Sequence, residues 1–355
     1  MKKTILTIVL IITVLITIHS QDTPEFILTL EIEDALAKVA EKSAAISLTP
    51  NNDLLYNERG MYYNILRMFE EALNDFNTAI RLNPDNGSYY ASRGMIYNNT
   101  GKFQEAVDDI TRAIDLGYNI PRLSVMRGNT FHEVPLVYMR ATAYVKLLNY
   151  EKAAEDYSYL LIHDSNSRNH ENYFFSRAYI FFTLGKYHEA FEDINKAIEY
   201  NQRDVRYYFY RGRINDLLNK FQESLADYTK ALTIKPGDVD SLYHRSLIYA
   251  GLSMPNRALS DINQAFKTAP ADMLGKLYGI RGMVYTLKRN VNRALADLNK
   301  AINLDPTETV YLNMRAGIYE MLAKKALRIS VRDEYLRRAK RDYTAVEELK
   351  RTNLD

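Results

Sequence analysis

The sequence predicts an all-α protein built from a repeated pair of helices. Its 355 residues suffice for two or three ordinary domains or for one elongated array of repeats. The pattern Tyr-x-x-Arg-Gly-x-x-Tyr at residues 56–63 returns at residues 90–97, a displacement of 34 residues. Ala72 returns with the same displacement as Ala106. A fixed period of this length is typical of repeat proteins.

Each repeat is interpreted as two amphipathic helices. Residues 56, 59, 60 and 63 follow the i, i+3, i+4, i+7 spacing of one helical face, and apolar residues between 72 and 80 do the same in a second helix. Glycine inside a helix costs about 1 kcal/mol, so the recurrent Gly60 and Gly94 indicate close packing. Gly101 and Gly185 fall between the helices, where positive φ favours glycine.

Eight repeats are predicted, and every one contains the same charged pair. An Arg precedes the small residue of the first helix, and an Asp follows the small residue of the second helix by three positions. The arginines are Arg59, Arg93, Arg140, Arg177, Arg211, Arg245, Arg281 and Arg315, and the aspartates are Asp75, Asp109, Asp156, Asp193, Asp227, Asp261, Asp297 and Asp342.

The pairs are expected to clamp helices together, because a buried Arg must be paired and its planar fork suits a carboxylate. We expect guanidinium–carboxylate distances below about 3.5 Å. Whether each Asp pairs within its own repeat or with the next one is left open. The alternative is a row of arginines that binds an anion, but every Arg has its own acid.

The spacing of aromatic, small, apolar and proline residues over about residues 51–350 resembles the tetratricopeptide repeat. The resemblance implies a right-handed superhelical solenoid of helix–turn–helix repeats, with first helices lining a concave face that binds peptides or proteins. Residues 21–50 are expected to hold a linker and a capping helix. The insertion at 118–133 is expected to be a loop or a loop with a short helix, and the last repeat, 310–350, to have an extended first helix or turn.

The resemblance also implies which side chains line the binding face. They lie three residues before the small residue of each first helix, or one, four or five residues after it. Aromatic rings and amides at these places suit a peptide or a partner helix, although packing between neighbouring helices would equally explain the aromatic ones. The candidates are Asn57, Met61, Asn64, Met95, Asn98, Tyr138, Phe175, Tyr179, Phe209, Arg213, Tyr243 and Met283.

Residues 1–20 have the pattern of a secretory signal peptide. Lys2 and Lys3 precede an uncharged run over residues 4–18, and Ser20 offers a cleavage point. The mature chain is therefore expected to be secreted or periplasmic and not integral to a membrane. An uncleaved N-terminal anchor is the alternative, although the run is shorter than the roughly 20 residues that span a bilayer.

No motif for chemistry is evident. The chain has no Cys, which excludes disulfides, thiolate metal sites and a cysteine nucleophile. Its six histidines show no metal-binding spacing, and neither a phosphate loop nor a nucleophile elbow is present. A net charge of +2 does not favour nucleic acid. We therefore predict neither an enzyme nor a cofactor or metal site.

The sequence favours a non-enzymatic scaffold that binds a peptide or partner protein on the concave face. The alternative function is a permanent structural subunit of an envelope assembly for export, outer-membrane biogenesis or surface polymers. A separate feature is the basic cluster of the last repeat, between residues 324 and 341. It either docks on an acidic partner or an anionic membrane, or it is the polar end that a repeat array needs for solubility.

Overall fold

The computed structural model describes residues 24–118, 123–127, 130–164 and 166–352. Within these ranges the fold is helical apart from one two-stranded sheet. The helices are α1 (Pro24–Leu48), α2 (Asp53–Ile65), α3 (Phe69–Leu82), α4 (Gly87–Asn99), α5 (Phe103–Asp115), α6 (Leu136–Lys146), α7 (Tyr150–His163), α8 (His170–Thr183), α9 (Tyr187–Tyr200), α10 (Val205–Leu217), α11 (Phe221–Ile234), α12 (Val239–Gly251), α13 (Pro255–Ala265), α14 (Leu274–Leu287), α15 (Val291–Leu304), α16 (Thr309–Lys325) and α17 (Ile329–Thr352), and the strands are β1 (Leu123–Arg127) and β2 (Thr130–Val134).

The chain forms two compact units, residues 1–184 and 185–355. In the first unit, α2–α3, α4–α5 and α6–α7 are helical hairpins, and each first helix also contacts the first helix of the next hairpin. In the second unit, α10–α11, α12–α13, α14–α15 and α16–α17 repeat this arrangement. The predicted stack of helical repeats is therefore confirmed within each unit.

A left-handed residue ends the first helix of seven repeats, always seven positions after the small residue. Gly101 and Gly185 have φ of 79° and 73°, as predicted. The other five positions are not glycine: Arg67, Leu148, Asn219, Ser253 and Arg289 have φ between 56° and 59°. Because an L-residue in this conformation costs roughly 1–2 kcal/mol, the packing of the hairpins must impose the turn there.

The helical glycines are required by a large side chain of the second helix. A Cβ added at Gly60 would lie 2.7 Å from Cε1 of Phe76, a residue with no exposed surface. At Gly94 the nearest atom is Cγ1 of Ile110, at 3.0 Å, and the Ala106 carbonyl follows at 3.4 Å. The close approach was predicted between small residues of both helices, and the structure adds the bulky residue that fills the gap.

The 118–133 insertion differs from the expectation of a loop or short helix. Strands β1 and β2 pair antiparallel, with Leu123 opposite Val134 and Arg127 opposite Thr130. Gly128 was interpreted as a loop residue, but Gly-Asn between two short runs of alternating character is a hairpin signal. The prediction of a loop or a loop with a short helix was wrong, because residues 123–127 and 130–134 pair as strands.

The last repeat is extended in both helices, and mostly in the second one. Helix α16 ends nine residues after the small residue Ala316, where other first helices end after five. Helix α17 begins ten residues before Ala339, where other second helices begin three residues before their small residue. Ala323 occupies the left-handed turn position but stays helical. The expected extension of the first helix or turn was therefore incomplete.

Seven of the predicted Arg–Asp pairs are internal clamps within their own repeats. In α2–α3, Nε and Nη2 of Arg59 donate to the two carboxylate oxygens of Asp75, at 2.8 and 2.7 Å. The hydrogen bond to Asp75 raises the pKa of Arg59. The same two-pronged contact occurs in seven repeats, at Arg59–Asp75, Arg93–Asp109, Arg140–Asp156, Arg211–Asp227, Arg245–Asp261, Arg281–Asp297 and Arg315–Asp342.

In five of these clamps the third arm of the guanidinium, Nη1, donates to a side chain of the preceding repeat. Nη1 of Arg93 donates to Asn77 at 2.7 Å, and Nη1 of Arg245 donates to Thr229 at 3.0 Å. Both acceptors lie two residues after the Asp of the preceding repeat. The carboxylate thus comes from the Arg's own repeat and a neutral polar group from the previous one, which resolves the pairing that the sequence left open.

The first described helix, α1, packs before the first repeat. Ala35, Val39 and Ile46 are buried, and the Ser43 hydroxyl accepts a hydrogen bond from Arg59 at 3.0 Å. The predicted signal peptide at 1–20 lies outside the described residues. Among the described helices, none combines the length and the apolar character needed to cross a bilayer.

Removing one clamp arginine tests its structural role. Asp261 is 4% exposed, so Arg245→Met leaves a buried carboxylate without its cation and should lower the unfolding free energy by about 3–5 kcal/mol. Adding Asp261→Leu removes the unpaired buried charge and should recover a large part of the lost unfolding free energy. Urea unfolding followed by circular dichroism measures both variants. A loss below about 1 kcal/mol for Arg245→Met would contradict a buried clamp.

Candidate partner-binding surface

One face of the first helices in the second unit gathers aromatic and charged side chains. Phe209 and Arg213 of α10 are half-buried on this face, and so is Tyr243 of α12, whose neighbour one turn earlier, Asp240, is exposed. Lys276 of α14 is exposed at the position equivalent to Asp240. We call these five residues the first-helix strip. Direct packing of α10 on α12 and of α12 on α14 places them side by side.

The strip is supported from beneath by stacked rings. His244 of α12 lies with its ring centroid 5.7 Å from Phe209, 6.1 Å from Tyr228 and 5.2 Å from Tyr243. Tyr228, on α11, has no exposed surface. Its hydroxyl has no hydrogen-bond partner within the described part of the chain. Phe209 and Tyr243 thus both pack against His244 beneath the strip.

His244 is held neutral in this environment. Burial, followed by the positive charges of Arg213 and Lys276, lowers its pKa to about 3. Its neighbours are therefore two cations and three aromatic rings, with no acid among the causes of the shift. A neutral imidazole at neutral pH is suited to packing, and its depressed pKa makes it a poor general base.

The strip carries both signs of charge. Arg213 lies with its guanidinium 6.0 Å from the Phe209 ring centroid. Burial raises the pKa of Asp240, and the charges of Lys276 and Arg213 oppose that shift. Burial also raises the pKa of Tyr243, with a further contribution from Glu308 at the start of α16. Cations and anions therefore alternate across successive first helices.

Four predicted site residues belong to the second unit. Phe209, Arg213 and Tyr243 come together in the strip. Met283 is half-buried and packs against the core that contains Leu277 and Val284. Phe209 and Tyr243 pack on neighbouring rings and keep part of their surface exposed.

The predicted residues near the N-terminus are less uniform. Asn57, Met61, Asn64 and Asn98 are half-buried, and Oδ1 of Asn57 has no hydrogen-bond partner within the described residues. Met95 is different. It is 1% exposed and packs in a core cluster. Its assignment as a partner contact was wrong, because the side chain fills the gap between its own hairpin and α6.

The remaining predicted residues lie on α6 and α8. Tyr138 packs against Tyr157 and Tyr173, with ring centroids 6.1 and 5.8 Å away, so its ring is part of the packing between helices. Phe175 is half-buried, whereas Tyr179 is 39% exposed. Of these three, Tyr179 has the surface available for a partner.

Asp240 and Lys276 were not among the residues predicted from the sequence. They lie six residues before the small residues Ser246 and Gly282, three before the positions that were considered. Because residues three apart share a helical face, continuing the same face by one turn would have included them. Within the described residues, no group of three or more His, Asp or Glu side chains is placed to hold a metal ion.

The titration of His244 gives a test by pH. The unfolded chain binds a proton near pH 6.5 and the folded chain only near pH 3, so stability falls as pH decreases below 6.5. Lowering the pH from 7 to 5 should reduce the unfolding free energy by about 1–2 kcal/mol through this group. His244→Phe should remove that part of the pH dependence, measured by urea unfolding at both pH values. The exposed His188, changed to Phe, is the control, and equal slopes for both variants would contradict the buried neutral state.

Comparisons with known proteins agree with this architecture. Models of the tetratricopeptide repeat match residues 66–117, 138–202, 175–239 and 275–308, which together make up more than half of the chain, and neither model describes a catalytic domain. No curated protein sequence matches the chain.

Solved structures provide a further comparison. The C-terminal part of a TPR repeat-containing protein from Cytophaga hutchinsonii is 16% identical, with a TM-score of 0.57, over 72% of this chain and 97% of that one. A tetratricopeptide repeat protein from Parabacteroides merdae is 22% identical, with a TM-score of 0.49, over 81% of this chain and 98% of that one. The first of these similarities supports the fold, and the family models agree with it. The chain belongs to the tetratricopeptide repeat family.

Proposed function

We propose that the chain is a non-catalytic scaffold that binds a peptide or a segment of a partner protein along its first helices. The observation that carries the proposal is the first-helix strip, where half-exposed rings lie beside charges of both signs. Tetratricopeptide repeats are generally interaction scaffolds, which agrees with a protein partner.

The chemistry of the strip suits a polypeptide. Phe209 and Tyr243 offer a large contact area at a small cost in conformational entropy, as aromatic residues at interfaces do. Arg213, Asp240 and Lys276 alternate in sign, so they complement a segment that carries both acidic and basic residues. A nucleic acid, by contrast, requires a surface of predominantly positive charge.

The arginine clamps are excluded from this role. Their guanidiniums already bind buried aspartates, and taking them away would leave those carboxylates unpaired. A partner would therefore contact the strip without rearranging the clamps. Because the first helices are held in place before binding, little ordering entropy is lost on association.

A pair of charge reversals tests the strip. Arg213→Glu with Asp240→Lys should reduce capture of a partner by at least tenfold, because several contacts change sign at once. The matched control is Lys230→Glu with Glu223→Lys, which makes the same two reversals of charge at exposed positions of α11. Photocrosslinking in the native compartment and mass spectrometry identify the partner, and titration of purified partner gives the affinity.

Equal affinity of the strip variant and the wild type for the partner, with unchanged helical circular dichroism, would overturn the assignment of the strip. Retention of the chain in a membrane fraction at high salt would instead favour the alternative function, a permanent structural subunit of an envelope assembly. A transient binder should be released under the same conditions.

Export from the cytosol is part of the proposal. Its support is the sequence of residues 1–20, where two lysines precede an uncharged run. Cleavage after Ser20 should give a mature chain that begins at Gln21, as read by N-terminal sequencing of protein from its native cells. Recovery of the chain from membranes with residues 1–20 intact would point to the anchor instead.

A further inference from the structure

The extension of the last repeat ends in an exposed turn that we call the basic tip, residues 324–332. Leu327 is wholly exposed, Ile329 is 67% exposed and Val331 is 36% exposed. This turn, residues 326–328, is three residues long, like the turn between the helices of the first repeat, but the helices on either side of it extend four and seven residues further than in that repeat. Large apolar side chains at such a position are not what the polar end of a repeat array requires.

The tip is an ordered part of the hairpin. Ala323 is 3% exposed, and the ring of Tyr335 stacks on Tyr319 with centroids 6.3 Å apart. Arg338 lies with its guanidinium 5.7 Å from the Tyr319 ring centroid. These contacts join α16 to α17 below the tip. They hold the apolar side chains outward, because Leu327 and Ile329 follow immediately after the paired part of the hairpin.

Positive charge surrounds these apolar side chains. Arg332 pairs with Asp333 at 3.5 Å, whereas Lys324, Lys325 and Arg328 form no ion pair with any described residue. Residues 324–341 contain eight basic and two acidic side chains, although the whole chain has a net charge of only +2. The rest of the molecule is therefore net negative, and the tip is where an anionic surface would be attracted.

We propose that the basic tip docks on the surface of an anionic phospholipid bilayer. Leu327 and Ile329 would enter the headgroup region while the three unpaired cations lie among lipid phosphates. Apolar side chains flanked by Lys and Arg are the combination that binds such an interface. Each basic residue near an anionic leaflet adds to the attraction, and salt weakens it.

The shape of the tip favours a bilayer over an acidic protein. A stable protein interface buries about 800 Å² on each partner and centres on side chains that fill pockets. The tip has nine residues around one turn, fewer than the roughly 20–30 residues that each side of a standard protein interface contributes. A fluid lipid interface accepts protruding side chains without a complementary shape.

Vesicle sedimentation tests the proposal. The chain beginning at Gln21 is used, so that the apolar residues 4–18 cannot mediate binding. We expect binding to phosphatidylcholine vesicles that contain phosphatidylglycerol, little binding to phosphatidylcholine alone, and at least tenfold weakening when salt is raised from low to high concentration. Lys324→Glu with Lys325→Glu and Arg328→Glu should weaken binding at least tenfold.

Matched controls separate the tip from net charge and general hydrophobicity. The same triple reversal at the exposed Lys230, Lys267 and Lys300 should leave most of the binding intact. Leu327→Ser with Ile329→Ser should weaken binding severalfold, whereas Leu287→Ser with Leu304→Ser, also exposed, should not. Circular dichroism verifies that each variant is folded.

Three results would overturn the proposal. The first is the absence of binding to anionic vesicles, and the second is an equal loss of vesicle binding in the tip and control variants. The third is binding of the tip to an acidic protein without binding to vesicles. Loss of vesicle binding in the tip variants with unchanged capture through the first-helix strip would separate this surface from the proposed peptide site.

Discussion

A buried carboxylate in each repeat needs a guanidinium beside it, and this requirement governs how the hairpins meet. Asp75 is 1% exposed and lies against Arg59, whose third arm extends to Ser43 of the preceding helix. Burial raises the pKa of Asp109 and Asp156 although the paired Arg lowers each, which shows how costly desolvation is. Because the desolvation of both charges offsets much of their attraction, the clamp is expected to add little net stability, whereas loss of one partner is costly.

The clamps also determine what remains for function. Because the recurrent arginines are engaged inside the repeats, the outward face of the first helices is left to residues that differ from repeat to repeat. In the second unit these are the rings and mixed charges around Arg213 and Tyr243. A regular interior thus supports an irregular surface, and the proposed recognition of a partner uses the irregular part.

The repeats differ most where the usual turn is altered. Seven repeats place a left-handed residue at the same point, even where it is Arg67 or Leu148. In the last repeat Ala323 stays helical, so α16 continues and α17 begins earlier. The helices on both sides of this turn extend further than in the other repeats, and Leu327 and Ile329 are exposed there.

The sequence by itself determined the helical repeat, the glycine turns and the existence of the Arg–Asp pairs, because each is a periodic pattern that local geometry explains. Tertiary structure decided the rest. Only the packing of adjacent hairpins places Nη1 of Arg93 and Arg245 against the preceding repeat, buries Met95 and leaves Tyr179 exposed. Residues at equivalent positions of different repeats are buried to different extents, because burial depends on the neighbouring helices. The periodicity of a single helix does not contain that information. Likewise, the paired strands at 123–134 and the exposed tip of the last repeat depend on contacts made or missing across the fold.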